Sequence, residues 1–551
     1  MPDTNTPKPS KFEKPILFGF ALRSTSVEGQ IQIQFRWFRI TGAMLTFFAA
    51  SWLVTAGALF FYFKYNKEYS EVTYSDMLVL PVKYSELLVE MGDFHVSKGL
   101  DQLKDQNYRE ALRLLRLGVA RSPGNLEGRR VLSEFYEFAL KRPDLAADML
   151  LRGFEYDAIE HPDYLKSTAS ILLRNQMDDE IQELADKFLP KEPVINETNQ
   201  ILAFASANAN FLRGNFDRAD DYLYDYNLTT NLEGLILSAK ISWERNNRTA
   251  AITKLEKSLE RYPNSNTLLL QLSRYHRENG DMEEALRYAI LRNIIFPLDP
   301  NPRIELLYTY EANADYERVK SEALKILSQF SDDESALRNL ANFAAHSGNI
   351  SIARRAYEEA LERDFSIDAF ALLLIEAHLV KEDYPGALEF TEELAIERPD
   401  WLESRLAIFN SLRSVIAFGL NRADLGEIYL QEFLSERPAA NTSLAVAKRF
   451  NYIARYEQAL KVLLDAYESN RGNQKVLSEL IRVELALGRA DQLSQRISKL
   501  LQMRRPEMGL LKEAYEKMGS DRFIFANNRE ELLLQLSAIL RENNLLTKSE
   551  S

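Results

Sequence analysis

Small side chains recur at nearly constant intervals along most of this 551-residue chain. The clearest series is Ala219, Ala251, Ala285, Val319, Ala353 and Ala387, separated by 32, 34, 34, 34 and 34 residues. Gly426, Ala459 and Leu493 continue it at intervals of 39, 33 and 34. A bulky residue often stands three positions before the small one, and a proline often stands twelve positions after it. Such a period predicts a stack of one repeated structural unit.

The residues of one period are those of two antiparallel helices. A small side chain lets the helices approach, a bulky one fills the space between them, and proline ends the pair. Turn signals fall between the helices at Gly214-Asn215, Asn279-Gly280-Asp281 and Ser347-Gly348-Asn349. Neither helix can bury its apolar stripe alone, so successive pairs must stack around a continuous core.

In this spacing of small, aromatic and proline residues the chain resembles the tetratricopeptide repeat family, whose unit is a 34-residue helix-turn-helix. The clearest unit is 334–367, where Ala341, Gly348, Ala353, Tyr357 and Ala360 are all in step. The resemblance implies an all-α fold, a right-handed superhelical solenoid of antiparallel helix pairs, here with one N-terminal transmembrane helix.

The sequence divides into five segments. We expect an N-terminal tail over 1–39, a transmembrane helix over 40–63, a stalk over 64–84 and a tetratricopeptide solenoid over 85–508. The solenoid should hold roughly eleven to twelve units, with degenerate register over 126–195. Residues 509–551 should form capping helices and a short tail, because the open end of a solenoid must be covered.

The predicted membrane segment is 24 residues long and carries no charge. A helix of that length spans the roughly 30 Å hydrocarbon layer. Arg36, Arg39, Lys64 and Lys67 bracket it, as anchoring cations do. A buried core helix and a cleavable signal peptide are the alternatives. The length and the 39-residue leader favour an uncleaved anchor.

The leader carries six basic and three acidic residues, a net charge of +3, against −13 for the whole chain. The positive-inside rule therefore favours a cytoplasmic leader and an exported array. Within the leader, residues 30–35 alternate polar with apolar side chains, as a short strand or an interfacial segment does. The sequence assigns this segment no function.

Composition removes several classes of function. The chain has no cysteine, so disulfides, thiol nucleophiles and zinc-thiolate sites are excluded. The acidic balance and the lack of a dense basic run argue against nucleic acid. Its five histidines are scattered, and no HExxH, GxSxG, GxGxxG or GxxxxGK motif occurs. We therefore expect no enzyme, no catalytic residue, no metal, no cofactor and no small-molecule substrate.

Two polar features have ordinary structural interpretations. His276 and His378 occupy equivalent places three units apart, and the helical period predicts that both point into the packing between helices. Acidic residues gather near Asp217 and Asp220 on one predicted helix. A solvated acidic face explains this cluster better than a cation site does.

Equivalent exposed positions of successive first helices should form a ladder along the inner surface of the array. The candidate partner-binding residues are Asn208, Phe211, Lys240, Trp243, Arg274, Arg277, Tyr308, Asn342 and Glu376. Cations, amides and aromatic rings are typical of a protein-binding surface, although a solvated helix face looks similar. A carboxylate clamp of the kind used for chaperone tails is not supported, because Leu372 and Leu373 stand where amides and cations are needed.

These observations predict a membrane-tethered, non-enzymatic scaffold that binds proteins or peptides along its concave groove. It contacts the bilayer through residues 40–63, in the inner membrane of a bacterium with the array outside the cytoplasm, as part of an envelope-assembly or export complex. The first alternative is a cytosol-facing receptor on an organelle membrane, resembling mitochondrial import receptors. The second is an enzyme that uses carboxylates of the groove.

Overall fold

The computed structural model describes residues 14–25, 31–67, 69–543 and 545–546. The chain forms two compact units, residues 1–175 and 176–551. Unit 1 contains strands Lys14–Ile16 (β1), Ala21–Thr25 (β2) and Ile31–Phe35 (β3), and helices Trp37–Phe61 (α1), Tyr74–Lys104 (α2), Tyr108–Arg121 (α3), Leu126–Glu134 (α4), Pro143–Leu151 (α5) and Pro162–Arg174 (α6).

Unit 2 is built from helices throughout its described residues. They are Asp178–Phe188 (α7), Glu197–Arg213 (α8), Phe216–Asp225 (α9), Leu232–Glu244 (α10), Arg248–Arg261 (α11), Asn266–Asn279 (α12), Met282–Ile295 (α13), Pro300–Ala312 (α14), Tyr316–Gln329 (α15), Glu334–Ser347 (α16), Ile350–Glu362 (α17), Asp368–Val380 (α18), Tyr384–Glu397 (α19), Trp401–Ser404 (α20), Leu406–Gly419 (α21), Ala423–Ser435 (α22), Ala440–Tyr452 (α23), Tyr456–Ser469 (α24), Gln474–Leu487 (α25), Leu493–Leu501 (α26), Met508–Gly519 (α27) and Arg529–Glu542 (α28).

The predicted array of antiparallel helix pairs is confirmed. From α8 onward each first helix packs on the second helix that follows it and on the first helix of a neighbouring pair. Every small residue of the 34-residue series in unit 2 is buried, from Ala219 to Leu493. One apolar core runs without interruption from Ala289 to Val483. Each pair therefore buries its apolar stripe against its neighbours.

The turns between paired helices share one backbone feature. The residue that follows the first helix, or the next one along, has a positive φ in nine successive pairs, at Gly214, Asn246, Gly280, Ala314, Gly348, Glu382, Asn421, Ala454 and Gly488. This left-handed conformation costs a residue with a Cβ roughly 1–2 kcal/mol. Five of the nine residues are not glycine, so the packing of the two helices must impose the turn.

Unit 1 begins with a feature that an all-α fold does not contain. β1, β2 and β3 form an antiparallel sheet in that order, in which Leu22 pairs with Gln34 and Arg23 with Ile33. The strand interpretation of the alternating leader segment is confirmed for residues 31–35. Residue 30 lies outside the described residues.

Helix α1 contacts helix α2 directly within unit 1. Tyr62–Asn66 continue it as one π-helical turn, and α2 begins at Tyr74, inside the segment expected to be a stalk. The Trp52 indole N–H donates to the Leu78 carbonyl at 2.9 Å, and the Tyr74 hydroxyl donates to the Leu53 carbonyl at 3.0 Å. The start of α2 therefore lies along the second half of α1.

A contact in unit 2 joins residues that are far apart in sequence. Arg504 donates to both oxygens of Asp178, at 2.6 and 2.8 Å, across 326 residues. Arg213 lies 3.6 Å from the same carboxylate, whose side chain is 1% exposed. The Arg505 amide donates to the Leu212 carbonyl at 2.9 Å, and its guanidinium pairs with Glu244 at 2.6 Å. The loop before α27 is thereby fastened to α7, α8 and α10.

Candidate partner-binding groove

The nine ladder residues lie where the period places them, on the first helices. Asn208 and Phe211 are on α8, Lys240 and Trp243 on α10, Arg274 and Arg277 on α12, Tyr308 on α14, Asn342 on α16 and Glu376 on α18. Arg274 is exposed, and the other eight are half-buried. The structure brings some of them together and pairs others with residues that the sequence reasoning missed.

Two ladder cations share one carboxylate. Arg277 lies 2.7 Å from Glu305 Oε1, and Arg274 lies 3.4 Å from Oε2. The Glu305 side chain is only 7% exposed, and Arg277 also donates to the Thr309 hydroxyl at 3.1 Å. Glu305 stands on α14 one helical turn before Tyr308, and that spacing was the signal that could have revealed it. These two cations are therefore already paired within the array.

The ladder aromatics also pack against partners inside the array. Trp243 stacks on Tyr275 with ring centroids 3.8 Å apart, and Tyr308 meets Phe343 edge to face at 5.0 Å. Burial raises the pKa of the Tyr308 hydroxyl, so the group is neutral at physiological pH. These rings stiffen the first-helix surface and leave only part of each face available.

An open apolar pocket lies across three successive first helices. Its volume is about 120 Å³, and it is lined by Leu372, Leu373 and Glu376 of α18, Ile408, Ser411, Leu412 and Val415 of α21, and Thr442, Ala445, Val446 and Arg449 of α23. An apolar cavity of roughly 150 Å³ accommodates benzene. The pocket is somewhat smaller than such a cavity, and its size matches one aliphatic side chain.

An ion pair forms one side of this pocket. Arg449 Nε donates to Glu376 Oε1 at 2.8 Å, and Nη2 donates to the same oxygen. The two residues are 73 positions apart in sequence, so the pair joins α18 to α23 past the intervening α21. A charged pair beside an apolar floor can orient a ligand through its backbone amides while the pocket takes a side chain.

Sequence reasoning placed only Glu376 of this pocket in the ladder. The interval of 39 residues before Gly426 shifted the register, and the short helix α20 supplies the extra residues. Equivalent positions on α21 and α23 were therefore not identified. The two leucines that argued against a carboxylate clamp, Leu372 and Leu373, line the pocket wall.

A larger pocket of about 600 Å³ lies elsewhere, between the second helices α24 and α26. Its lining includes Arg471, Glu468 and Lys499. It lies on the second helices, away from the first-helix surface that carries the ladder residues, which is why the smaller pocket is the better candidate.

The predicted core positions of two histidines are confirmed. His276 and His378 are 6% and 4% exposed. His378 Nδ1 lies 2.8 Å from Asp383 Oδ2, and the Gly386 amide donates to Oδ1 at 3.1 Å, so Asp383 caps α19. Burial alone would raise the pKa of Asp383, but these hydrogen bonds outweigh it and hold the pKa below its usual value.

We expect Asp383→Ala to destabilise α18 and α19 by about 1 kcal/mol at pH 7, because it removes the cap. A lowered carboxyl pKa contributes stability above the unfolded value near pH 3.9, and this contribution is lost as the pH falls through the folded value. The difference between wild type and variant should therefore shrink below about pH 4. Hydrogen exchange of α18 and α19 measures it, with exposed Glu389→Ala as the control. A difference that grows at low pH would contradict this.

Acidic groups do not converge on a metal-binding cluster among the residues that the structure describes. Asp217 and Asp220 instead hold Arg245, each at 2.5 Å. The acidic cluster on α9 is therefore partly neutralised by Arg245, which directly follows α10 in the next helix pair.

Comparisons with known proteins agree with the repeat geometry. Residues 237–300 and 338–400 match the family model described as tetratricopeptide repeat. No curated protein is similar enough in sequence to count as a match.

Solved structures give distant similarities. They include yeast Tom70 (13% identity, 84% of this chain and 96% of that chain, TM-score 0.29), Pseudomonas aeruginosa PilF (14%, 44% and 92%, 0.27) and a tetratricopeptide repeat protein from Parabacteroides merdae (16%, 46% and 98%, 0.28). The family model identifies residues 237–300 and 338–400 as tetratricopeptide repeats, and the helix pairs of unit 2 repeat the same arrangement outside these two segments.

Proposed function

We propose that this tetratricopeptide repeat protein is a membrane-tethered, non-enzymatic scaffold that binds protein partners through the groove of its first helices. The observation that carries the proposal is the open apolar pocket across α18, α21 and α23. Tetratricopeptide arrays bind segments of other proteins, and an extended or helical segment with one apolar anchor fits this surface. The nine ladder residues are the proposed continuation of the binding surface along the array.

The proposed tether is α1 with its continuation to Asn66. This helix has a mean hydropathy of 1.8 over its most apolar window, of which only 6% is buried. Its exposed surface includes Leu45, Phe47 and Phe48. Exposing large apolar side chains to water costs free energy, whereas placing them among lipid acyl chains is favourable. The proposed setting is a bacterial inner membrane, with the array outside the cytoplasm in an envelope-assembly or export complex.

Fractionation of cells that express the full chain tests the tether. We expect the protein to stay in the membrane pellet after alkaline carbonate extraction, and its appearance in the soluble fraction would contradict the proposal. Protease added to spheroplasts should digest the array. Digestion only after the cytoplasmic side is opened would support the alternative, a cytosol-facing receptor.

The groove is tested by filling the pocket. Ala445 is exposed on the pocket wall, so Ala445→Phe should occupy the pocket without disturbing the core. Peptides selected by phage display on the full chain in detergent should bind this variant at least tenfold more weakly, which corresponds to about 1.4 kcal/mol. They should also share an apolar anchor residue.

Ala423→Phe is the matched control, because Ala423 is exposed at the start of the second helix α22. Peptide affinity should be unchanged in this variant, and both variants should retain the wild-type circular dichroism. Selected peptides that bind Ala445→Phe as tightly as wild type would place the binding site elsewhere.

A further inference from the structure

Strand β3 of the small sheet carries an apolar stripe on one face. Successive residues of a strand point to opposite sides, so Ile31, Ile33 and Phe35 share a face while Gln34 lies on the other. The three apolar side chains are 54%, 51% and 52% exposed. This stripe on β3 is not covered by another element among the described residues, and an exposed apolar patch marks a binding surface.

The turn between β1 and β2 extends the apolar surface. Leu17 and Phe18 occupy this turn with side chains 62% and 104% exposed. Both have a positive φ, 53° and 55°, which is costly for residues with a Cβ. The chain thus holds two large apolar side chains outward in a conformation that their own backbone preference opposes.

The sheet is fixed to the start of α1. β3 ends at Phe35 and α1 begins at Trp37. The ring centroids of these two residues are 6.1 Å apart. The Arg36 amide donates to the Phe20 carbonyl at 2.8 Å. The 25 residues of α1 span roughly 37 Å, more than the roughly 30 Å hydrocarbon layer. In a helix that crosses the bilayer, Trp37 and the attached sheet therefore lie at the level of the headgroups.

The charged side chains of the sheet indicate which kind of surface it can bind. The described residues 14–25 and 31–67 include no aspartate or glutamate, whereas Lys14, Arg23, Arg36 and Arg39 lie on the sheet or at its junction with α1. By the strand register, Lys14 and Arg23 lie on the same face as Ile33. Apolar side chains interspersed with cations are complementary to the interface of an anionic bilayer.

The unpaired backbone groups of the edge strands limit how deeply the sheet can enter the bilayer. β1 and β3 are the edge strands of this sheet, and their unpaired amides and carbonyls are too costly to enter hydrocarbon. They remain hydrated at the level of the headgroups. The sheet must therefore lie on the membrane and cannot insert into it.

We propose that the β1–β2–β3 sheet docks flat on an anionic phospholipid surface, with Ile31, Ile33 and Phe35 toward the acyl chains and Lys14 and Arg23 toward the lipid phosphates. This inference rests on the proposed tether. The sheet thereby enlarges the area of contact with the lipid headgroups at the N-terminal end of α1.

Single labels on the full chain test the docking, and the natural sequence has no cysteine to remove. Ile33→Cys, Gln34→Cys and Leu45→Cys each carry an environment-sensitive fluorophore in vesicles of 70% phosphatidylcholine and 30% phosphatidylglycerol. Ile33 and Gln34 are neighbours on opposite faces, and Leu45 reports on α1. We expect lipid-borne quencher to quench the label at residue 33 at least threefold more than the label at 34, with iodide showing the reverse order.

Each outcome decides a separate point. If iodide quenches the labels at residues 33 and 34 equally while the lipid-borne quencher quenches the label at residue 45, both faces of the sheet are in water. That result would overturn the proposed docking but would leave the proposed membrane helix in place. Protection of residue 33 from both quenchers would mean that protein covers the face. Absence of lipid quenching at 45 would overturn the tether itself. Replacing phosphatidylglycerol by phosphatidylcholine should lower quenching at 33 at least twofold, and unchanged quenching would overturn the assignment to anionic lipid.

Discussion

Asp178→Ala should lower the free energy that holds α7, α8 and the loop before α27 together by about 3–5 kcal/mol. The Asp178 side chain is 1% exposed and receives two hydrogen bonds from Arg504. Removing one partner of a buried ion pair leaves the other charge desolvated without its main compensation. Arg213, 3.6 Å from the same carboxylate, loses a neighbour as well.

Hydrogen exchange of the full chain in detergent measures this effect segment by segment, because arrays of repeats need not unfold in one step. The loop before α27 and helices α7 and α8 should lose protection, while α16 to α19 keep theirs. Asp179→Ala is the control. Its carboxylate pairs with Arg213 but is 71% exposed, so its loss should cost at most about 1 kcal/mol. Equal effects of the two variants would show that the buried contact contributes little.

Phe450→Ala should destabilise α21 to α24 by about 3–5 kcal/mol, because a large cavity replaces a fully buried ring. Phe450 is 0% exposed and meets Phe418 edge to face at 5.7 Å. It lies on α23 beside Arg449, so the helix that carries one pocket wall loses its support. Affinity for selected peptides should fall together with stability.

Tyr452→Ala provides the matched control on the same helix, since Tyr452 is 61% exposed. Its loss should change the opening free energy of α23 by less than about 1 kcal/mol. Urea denaturation followed by hydrogen exchange at α21 to α24 separates the two variants. A small effect of Phe450→Ala would mean that the neighbouring rings close the cavity.

The period of small residues was sufficient to predict the helix pairs, because close approach of two helices demands a small side chain at one place. Ala251, Ala285 and Ala387 are 0% exposed. That regularity is a local property, repeated in each unit. The N-terminal sheet could be anticipated only as one alternating strand, since pairing with β1 and β2 leaves no periodic trace.

The candidate site was only partly predictable. The period located the first-helix positions but could not show that Glu305 pairs with both Arg274 and Arg277. Ion pairs between neighbouring repeats depend on the conformations that long side chains adopt, and the period does not determine these conformations. The pocket was missed because α20 breaks the register between α18 and α21. The contact of Asp178 with Arg504 belongs to no period at all.

That contact also bears on how the protein is made. Arg504 leaves the ribosome 326 residues after Asp178, which takes roughly 15 to 65 seconds at about 5–20 residues per second. Arg213 emerges much earlier, so during this interval it is the only member of the trio that can meet the carboxylate. The charge of Asp178 therefore stays incompletely neutralised until Arg504 has been synthesised.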